Sequence, residues 1–419
     1  MSDASLMANA GRLGPAFDLL ATYRPGGFFF ERSGLGVATA GIAETVDAES
    51  GPERILRLSR RVHETLERVK RDRDAPAPVA VASIPFSDGG SAHATIPARA
   101  TVRRVPGETW RIDVTADGLV PIDDVRERWT GARSPHEAFD EMQLWPEPEP
   151  DDYAALVDRA TGRIRSGDLR KIVLARTLLV DADRVLDAKQ LLWRLRAVDP
   201  ECYAFATPER PEPPRGILVG ASPELLLRKR GRAVEATPLA GSAPRFGDPE
   251  RDHASSSALF RSAKDREEHA VVADDVRRVL AAFCDRLEHP HEPELLGTAN
   301  VWHLATPFRG RLHDPAVRVL DVVAAMHPTP AVCGTPRDVA GEMLGELERI
   351  DRGAYAGPVG WVDADGDGEW AIALRCAEIT GKTARLFAGA GIVADSVPEA
   401  EVDETERKFR ALLDALRWG

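Results

Sequence analysis

The chain has only four cysteines in 419 residues, at positions 202, 284, 333 and 376. They lack the close pairs of a zinc site and the density of a disulfide scaffold, which points to a reduced, cytoplasmic interior. Positive charge is also short: 55 Lys and Arg stand against 67 Asp and Glu, a formal net charge of -12. That balance argues against nucleic acid or an anionic membrane surface as the main partner, and an anionic ligand would need positive charge supplied locally. No apolar run approaches the ~20 residues that cross a bilayer, and the N-terminus "MSDASLMANAGRLGPAF" lacks a basic start followed by an apolar core. Internal repeats and low-complexity tracts are absent too. What is present is a globular composition, 43% hydrophobic and 29% charged, on a chain long enough for a large core.

Two stretches punctuate the chain, "RDRDAPAPVAVASIPF" at 71–86 and the acidic "WPEPEPDD" at 145–152. The second is the better candidate boundary, dividing residues 1–150 from residues 151–419. Before it, "GGFFFERSGLGVATAG" has the apolar run, Ser-Gly turn and second apolar run of a hairpin. After it, the pattern predicts a helix over 152–166 and a strand over "KIVLARTLLV" at 171–180, which is rich in branched residues and short for a helix. Further strands are expected at "CYAFAT", "GILVG", around "KRG" at 229–231 and through "LLGTANVWHLATPFRGRL", with helices near 316–326, 336–350 and 399–416. Hairpin-linked strands with several long helices indicate an α+β fold of antiparallel sheets flanked by helices, not a repeating βαβ sheet.

The segment "KDREEHAVVADDVRRVLAAF" from Lys264 reads as an amphipathic helix with Val272, Val276, Val279 and Phe283 on one face. One turn back, the same stripe begins with Glu268. Asp265, Glu267 and Asp274 can point to solvent, but a carboxylate heading an apolar stripe must be paired, bound to a cation or desolvated. A continuous strand over 369–379 would place Ala371, Ala373, Arg375 and Ala377 on one face, leaving a guanidinium above small residues. That suits a bound carboxylate, or alternatively an internal ion pair. "FAGAGIV" allows close approach to the backbone at Gly389 and Gly391, by a ligand or by a neighbouring strand. "DADGDGEWAIAL" resembles a calcium loop but has Leu374 where the bidentate Glu belongs, so an Asp-Gly hairpin turn is the simpler reading.

Taken in order, "KIVLAR", "GASPELLLRKRG", "PLAGSAPR", "KDREEHAVV", "WHLATPFRG", "HPTPAVCG", "YAGPVGW", "GEWAIALRCAEI" and "LFAGAGIV" resemble the chorismate-utilising enzymes, most closely the isochorismate synthases. The resemblance covers 150–419 strongly and the preceding residues loosely. It implies a magnesium (Mg2+) site at Glu268 and Glu401, with Glu404 on the ion directly or through water. Hard carboxylate oxygens suit that cation. It further implies conversion of chorismate to isochorismate, with Lys171 as base for the incoming water and Glu224 as acid for the departing C4 hydroxyl. Read alone, Lys171 would be a strand-end solubilising residue and Glu224 a loop acid. By the same resemblance Gly241, Ser242, His303 and Ala331 contact the ring and its carboxylate, and Tyr355, Arg375, Gly391 and Lys408 grip the enolpyruvyl carboxylate. Val332 would be an apolar wall beside the ring.

Tyr355 stands where the synthase-only pattern has Phe and salicylate-forming relatives have Tyr, so a salicylate synthase is the alternative. Ala240 occupies the position at which one group of aminodeoxychorismate synthases has a nucleophilic Lys, and ammonia-using members usually lack the base represented by Lys171. Water is therefore the expected nucleophile, and no glutamine amidotransferase subunit is expected as a partner. A non-catalytic chorismate-binding relative is the reading from a different class, and turnover would dispose of it.

Overall fold

The computed structural model describes residues 6–14, 17–71, 75–116, 142–208, 210–211 and 214–417. Among the described residues, a 13-stranded and a 9-stranded sheet, both largely antiparallel, share one hydrophobic core, with smaller two- and three-stranded sheets and helices beside them. This is the expected α+β architecture. The hairpin near the N-terminus forms as Phe29–Arg32 and Leu35–Ala40 and pairs with Tyr203–Ala206. Val79–Ser83 likewise pairs with Pro358–Asp363, so strands from before residue 150 are built into both sheets. Segment 145–152 runs from the strand Met142–Glu147 into the helix Pro150–Arg165, and that strand pairs with Lys171–Ala182.

Lys171–Ala182 lies between Met142–Glu147 and Thr383–Ile392 and is almost wholly buried, which its Val/Ile/Leu-rich sequence accommodates. The helix Ala263–Phe283 starts at an N-cap Ser262, whose hydroxyl accepts from the Asp265 amide, and buries Val272, Val276, Val279 and Glu268. The C-terminal helix Pro398–Arg417 repeats the pattern: Glu401 heads a buried stripe of Thr405, Phe409 and Leu412. Each helix thus brings one carboxylate to the inner end of an apolar face. Among the described residues no helix is long and apolar enough to cross a membrane.

The expected continuous strand over 369–379 is instead two strands in different sheets. Gly368–Ile372 belongs to the 9-stranded sheet and Cys376–Thr380 to the 13-stranded sheet. The chain crosses between them through Arg375, at a left-handed φ of 47°. The apolar alternation is uninterrupted because both strands are buried, so periodicity alone could not show the break. A matching crossing joins Ile217–Ser222 to Leu225–Arg230 through Pro223 and Glu224. The two crossings are bonded to each other, Ile372 N to Glu224 O at 3.2 Å and Ala221 N to Arg375 O at 3.2 Å. Residues 363–368 form the turn between Pro358–Asp363 and Gly368–Ile372, with Asp363 and Asp367 paired to Arg104 and Lys229.

Candidate active site

At the seam where the chain changes sheets, one cavity is lined by every candidate site residue named from the sequence except Lys171 and Glu401. Its apolar wall includes Val173, Val332, Leu239 and Phe387, with Tyr355 stacked on Phe387 at 5.0 Å between ring centroids. Lys171 and Glu401 stand just behind the lining, each ion-paired to a neighbour.

Glu268 faces Lys171: Nζ lies 2.9 Å from Oε1, with Lys171 1% exposed at its side chain. The pair packs on Gly391, where an added Cβ would crowd Glu268 Oε1 and Lys171 Cε, so a side chain there would require the ion pair to shift. Gly241, at φ 70°, makes the bend that turns its carbonyl towards His303. His303 Nδ1 donates to that carbonyl at 3.1 Å, and Nε2 accepts from Arg375 Nη2 at 2.6 Å. Burial, with Arg375 and Lys408 nearby, holds the imidazole well below its ordinary value and therefore neutral. Arg375 makes no ion pair among the described residues, so the guanidinium retains hydrogen-bonding capacity towards the cavity.

Glu224 is 2% exposed, and among the described residues its Oε1 has no hydrogen-bond partner. Burial pushes its carboxyl up to about 8 against the field of Lys171 and a bond from the Leu239 backbone. A neutral acid aimed into a cavity with a free oxygen is equipped to donate a proton.

The other acidic side chains at the cavity are each matched by a lysine. Besides Glu268 with Lys171, Glu401 pairs with Lys264 at 2.8 Å and Glu404 with Lys408 at 2.8 Å. Lys408 also donates to Gly389 O at 2.6 Å. Burial and then the Glu404 charge raise the Glu401 carboxyl, whereas Lys408, Ser242 and Lys264 overcome burial to hold that of Glu404 low. Asp265, expected to face solvent, is half-buried against Gly241, and burial pushes its carboxyl up. Among the described residues no three Asp, Glu, His or Cys side chains converge as a closed metal set. The donors nevertheless fit a hard dication: all are carboxylate oxygens whose mutual repulsion calls for concentrated positive charge.

Two residues missed in the sequence also shape the cavity. Arg352, whose side chain is 5% exposed, donates to Glu348 Oε2 at 2.8 Å, Val332 O at 2.8 Å and Val173 O at 2.7 Å. Glu348 in turn accepts from Ala175 N at 2.7 Å. The pair ties the strand that begins with Lys171 to the loop that supplies Val332. Nothing in "LERIDRG" separates these residues from a solvated charge run, and only their three-dimensional partners identify them. Arg352→Leu is expected to cost about 3–5 kcal/mol in denaturant unfolding, because Glu348 would remain buried and uncompensated. An unchanged unfolding midpoint would deny the pair this structural role.

A family model described as "Chorismate binding enzyme" matches residues 14–417. The chain belongs to the chorismate-binding enzymes. This chorismate-binding enzyme is 39% identical over 401 residues to "Isochorismate synthase DhbC" of Bacillus subtilis (strain 168), covering 95% of each chain. It is 40% identical over 267 residues to "Isochorismate synthase EntC" of Escherichia coli (strain K12), covering 64% of this chain and 67% of that one. Among solved structures, the putative 2,3-dihydroxybenzoate-specific isochorismate synthase DhbC from Bacillus anthracis superposes with a TM-score of 0.81 at 32% identity, covering 96% of this chain and 99% of the other.

Proposed function

We propose that the protein is a magnesium-dependent isochorismate synthase, an isomerase that adds water at C2 of chorismate, shifts the ring double bonds and expels the C4 hydroxyl. The observation that carries this reading is Glu224, a buried acid held up to about 8 that lines the cavity, with Oε1 unpartnered among the described residues. Lys171 removes a proton from the incoming water, directly or through one intervening water, since it stands behind the cavity lining. Glu224 delivers a proton to the leaving hydroxide. One water enters and one leaves, so substrate and product are isomers.

Arg375, oriented by neutral His303, and Lys408 offer positive charge to the enolpyruvyl carboxylate, with Tyr355 and Gly391 beside them. Gly241, Ser242 and Ala331 border the ring. Glu268, Glu401 and Glu404 would hold the magnesium ion, which supplies positive charge to the ring carboxylate. Residues 151–419 contain these groups, while 1–150 complete the same fold. The product would feed siderophore, menaquinone or salicylate-type biosynthesis in the cytoplasm.

Chorismate and magnesium are expected to give isochorismate by chromatography, with little pyruvate in a lactate dehydrogenase-coupled assay. Excess chelator should abolish the reaction reversibly. Activity in chelator would remove the metal from the proposal, and no turnover would leave a binding protein. Tyr355 favours a second reading, salicylate synthase, because its hydroxyl borders the cavity where the enolpyruvyl arm is placed. Pyruvate appearing in step with chorismate loss would establish that reading instead.

A further inference from the structure

Lys264 begins the helix Ala263–Phe283 one turn before Glu268, and its Nζ reaches across to Glu401 at the head of the C-terminal helix. The Glu401 side chain is 2% exposed and that of Lys264 33%. One partner is fixed inside the protein and the other has a route to solvent. The remaining two lysines are held differently: Lys171 is 1% exposed, and Lys408 is also bonded to the Gly389 carbonyl. Among the described residues, Lys264 donates only to Glu401. It nevertheless lies within the fields of Glu401, Glu268 and Glu404, which raise its pKa against the effect of burial.

We propose that Lys264 is an internal stand-in for the divalent cation: its ammonium neutralises Glu401 in the metal-free enzyme and withdraws towards solvent when magnesium takes that carboxylate. The inference rests on the magnesium reading above. Glu401 and Glu404 lie one turn apart on the C-terminal helix and repel each other in a low-dielectric setting, so the head of that helix needs positive charge from outside it, which Lys264 brings from the neighbouring helix. An ammonium placed there holds the helices together. Because a dication repels it, the same ammonium must leave or be displaced on metal binding, and it therefore lowers magnesium affinity.

Magnesium titrations followed by calorimetry, and thermal melts with chelator or saturating magnesium, test this on the full chain without chorismate. Lys264→Gln should bind magnesium roughly fivefold more tightly, a change in the upper range for a partly exposed ion pair. Its Tm should fall below wild type in chelator and recover with magnesium, while Lys264→Arg stays close to wild type in both. A merely structural lysine would lower Tm equally in both conditions. Equal or weaker magnesium binding by Lys264→Gln would overturn the proposal, provided that wild type binds the ion and Glu401→Gln weakens it. If wild-type binding is absent, or is indifferent to Glu401→Gln, the magnesium assignment and the stand-in both fail.

Discussion

Lys171→Gln is expected to lower kcat for chorismate by about 10²- to 10⁴-fold, the usual contribution of a positioned general base. Binding should largely persist, because Lys171 lies behind the cavity lining and the Gln amide can still donate to Glu268. Loss of kcat with little change in the affinity for chorismate and magnesium is the signature of a group used in the transition state rather than the ground state. Calorimetric titration and steady-state rates on the same preparation measure the two separately. A near-normal kcat would assign proton removal elsewhere. Loss of magnesium binding together with activity would make Lys171 an organiser of Glu268 rather than a base.

Much of this arrangement was legible from local pattern. The stripe through Val272, Val276 and Val279 gave the helix and made Glu268 conspicuous, since a carboxylate at a buried position needs a partner. The partner, Lys171, could not be read from periodicity, because it lies on a strand almost a hundred residues earlier in the chain. The break at Arg375 was hidden for a related reason: two buried strands in different sheets give the same apolar run as one. Arg352 and Glu348 were invisible because a charged helix end usually means solvent, and only the strand carbonyl of Val173 and the loop carbonyl of Val332 reveal their burial. Sequence order and motif resemblance therefore found the residues that face the cavity better than those that hold it in shape.

Glu224→Gln is expected to lower kcat by about 10²- to 10⁴-fold as well, with substrate binding retained, because an amide cannot supply the proton the leaving hydroxide needs. The pH dependence distinguishes this acid from a structural residue. Donation requires the protonated carboxyl, so wild-type activity should fall as pH rises through about 8, and the residual activity of the variant should lack that limb. The effect on stability has a defined sign. Between the ordinary value of 4.5 and about 8 the folded protein keeps Glu224 protonated while the unfolded chain has lost the proton. The folded state then binds more protons, and its stability falls as pH rises across that window. At about 1.4 kcal/mol per unit, the penalty reaches the order of a few kcal/mol above pH 8. Gln carries no charge at either limit, so denaturant unfolding at pH 5 and pH 9 should show the variant gaining stability relative to wild type at the higher pH. An identical pH dependence of stability in the two proteins would mean that Glu224 is ionised in the folded enzyme, and the proton for the leaving group would have to come from another residue.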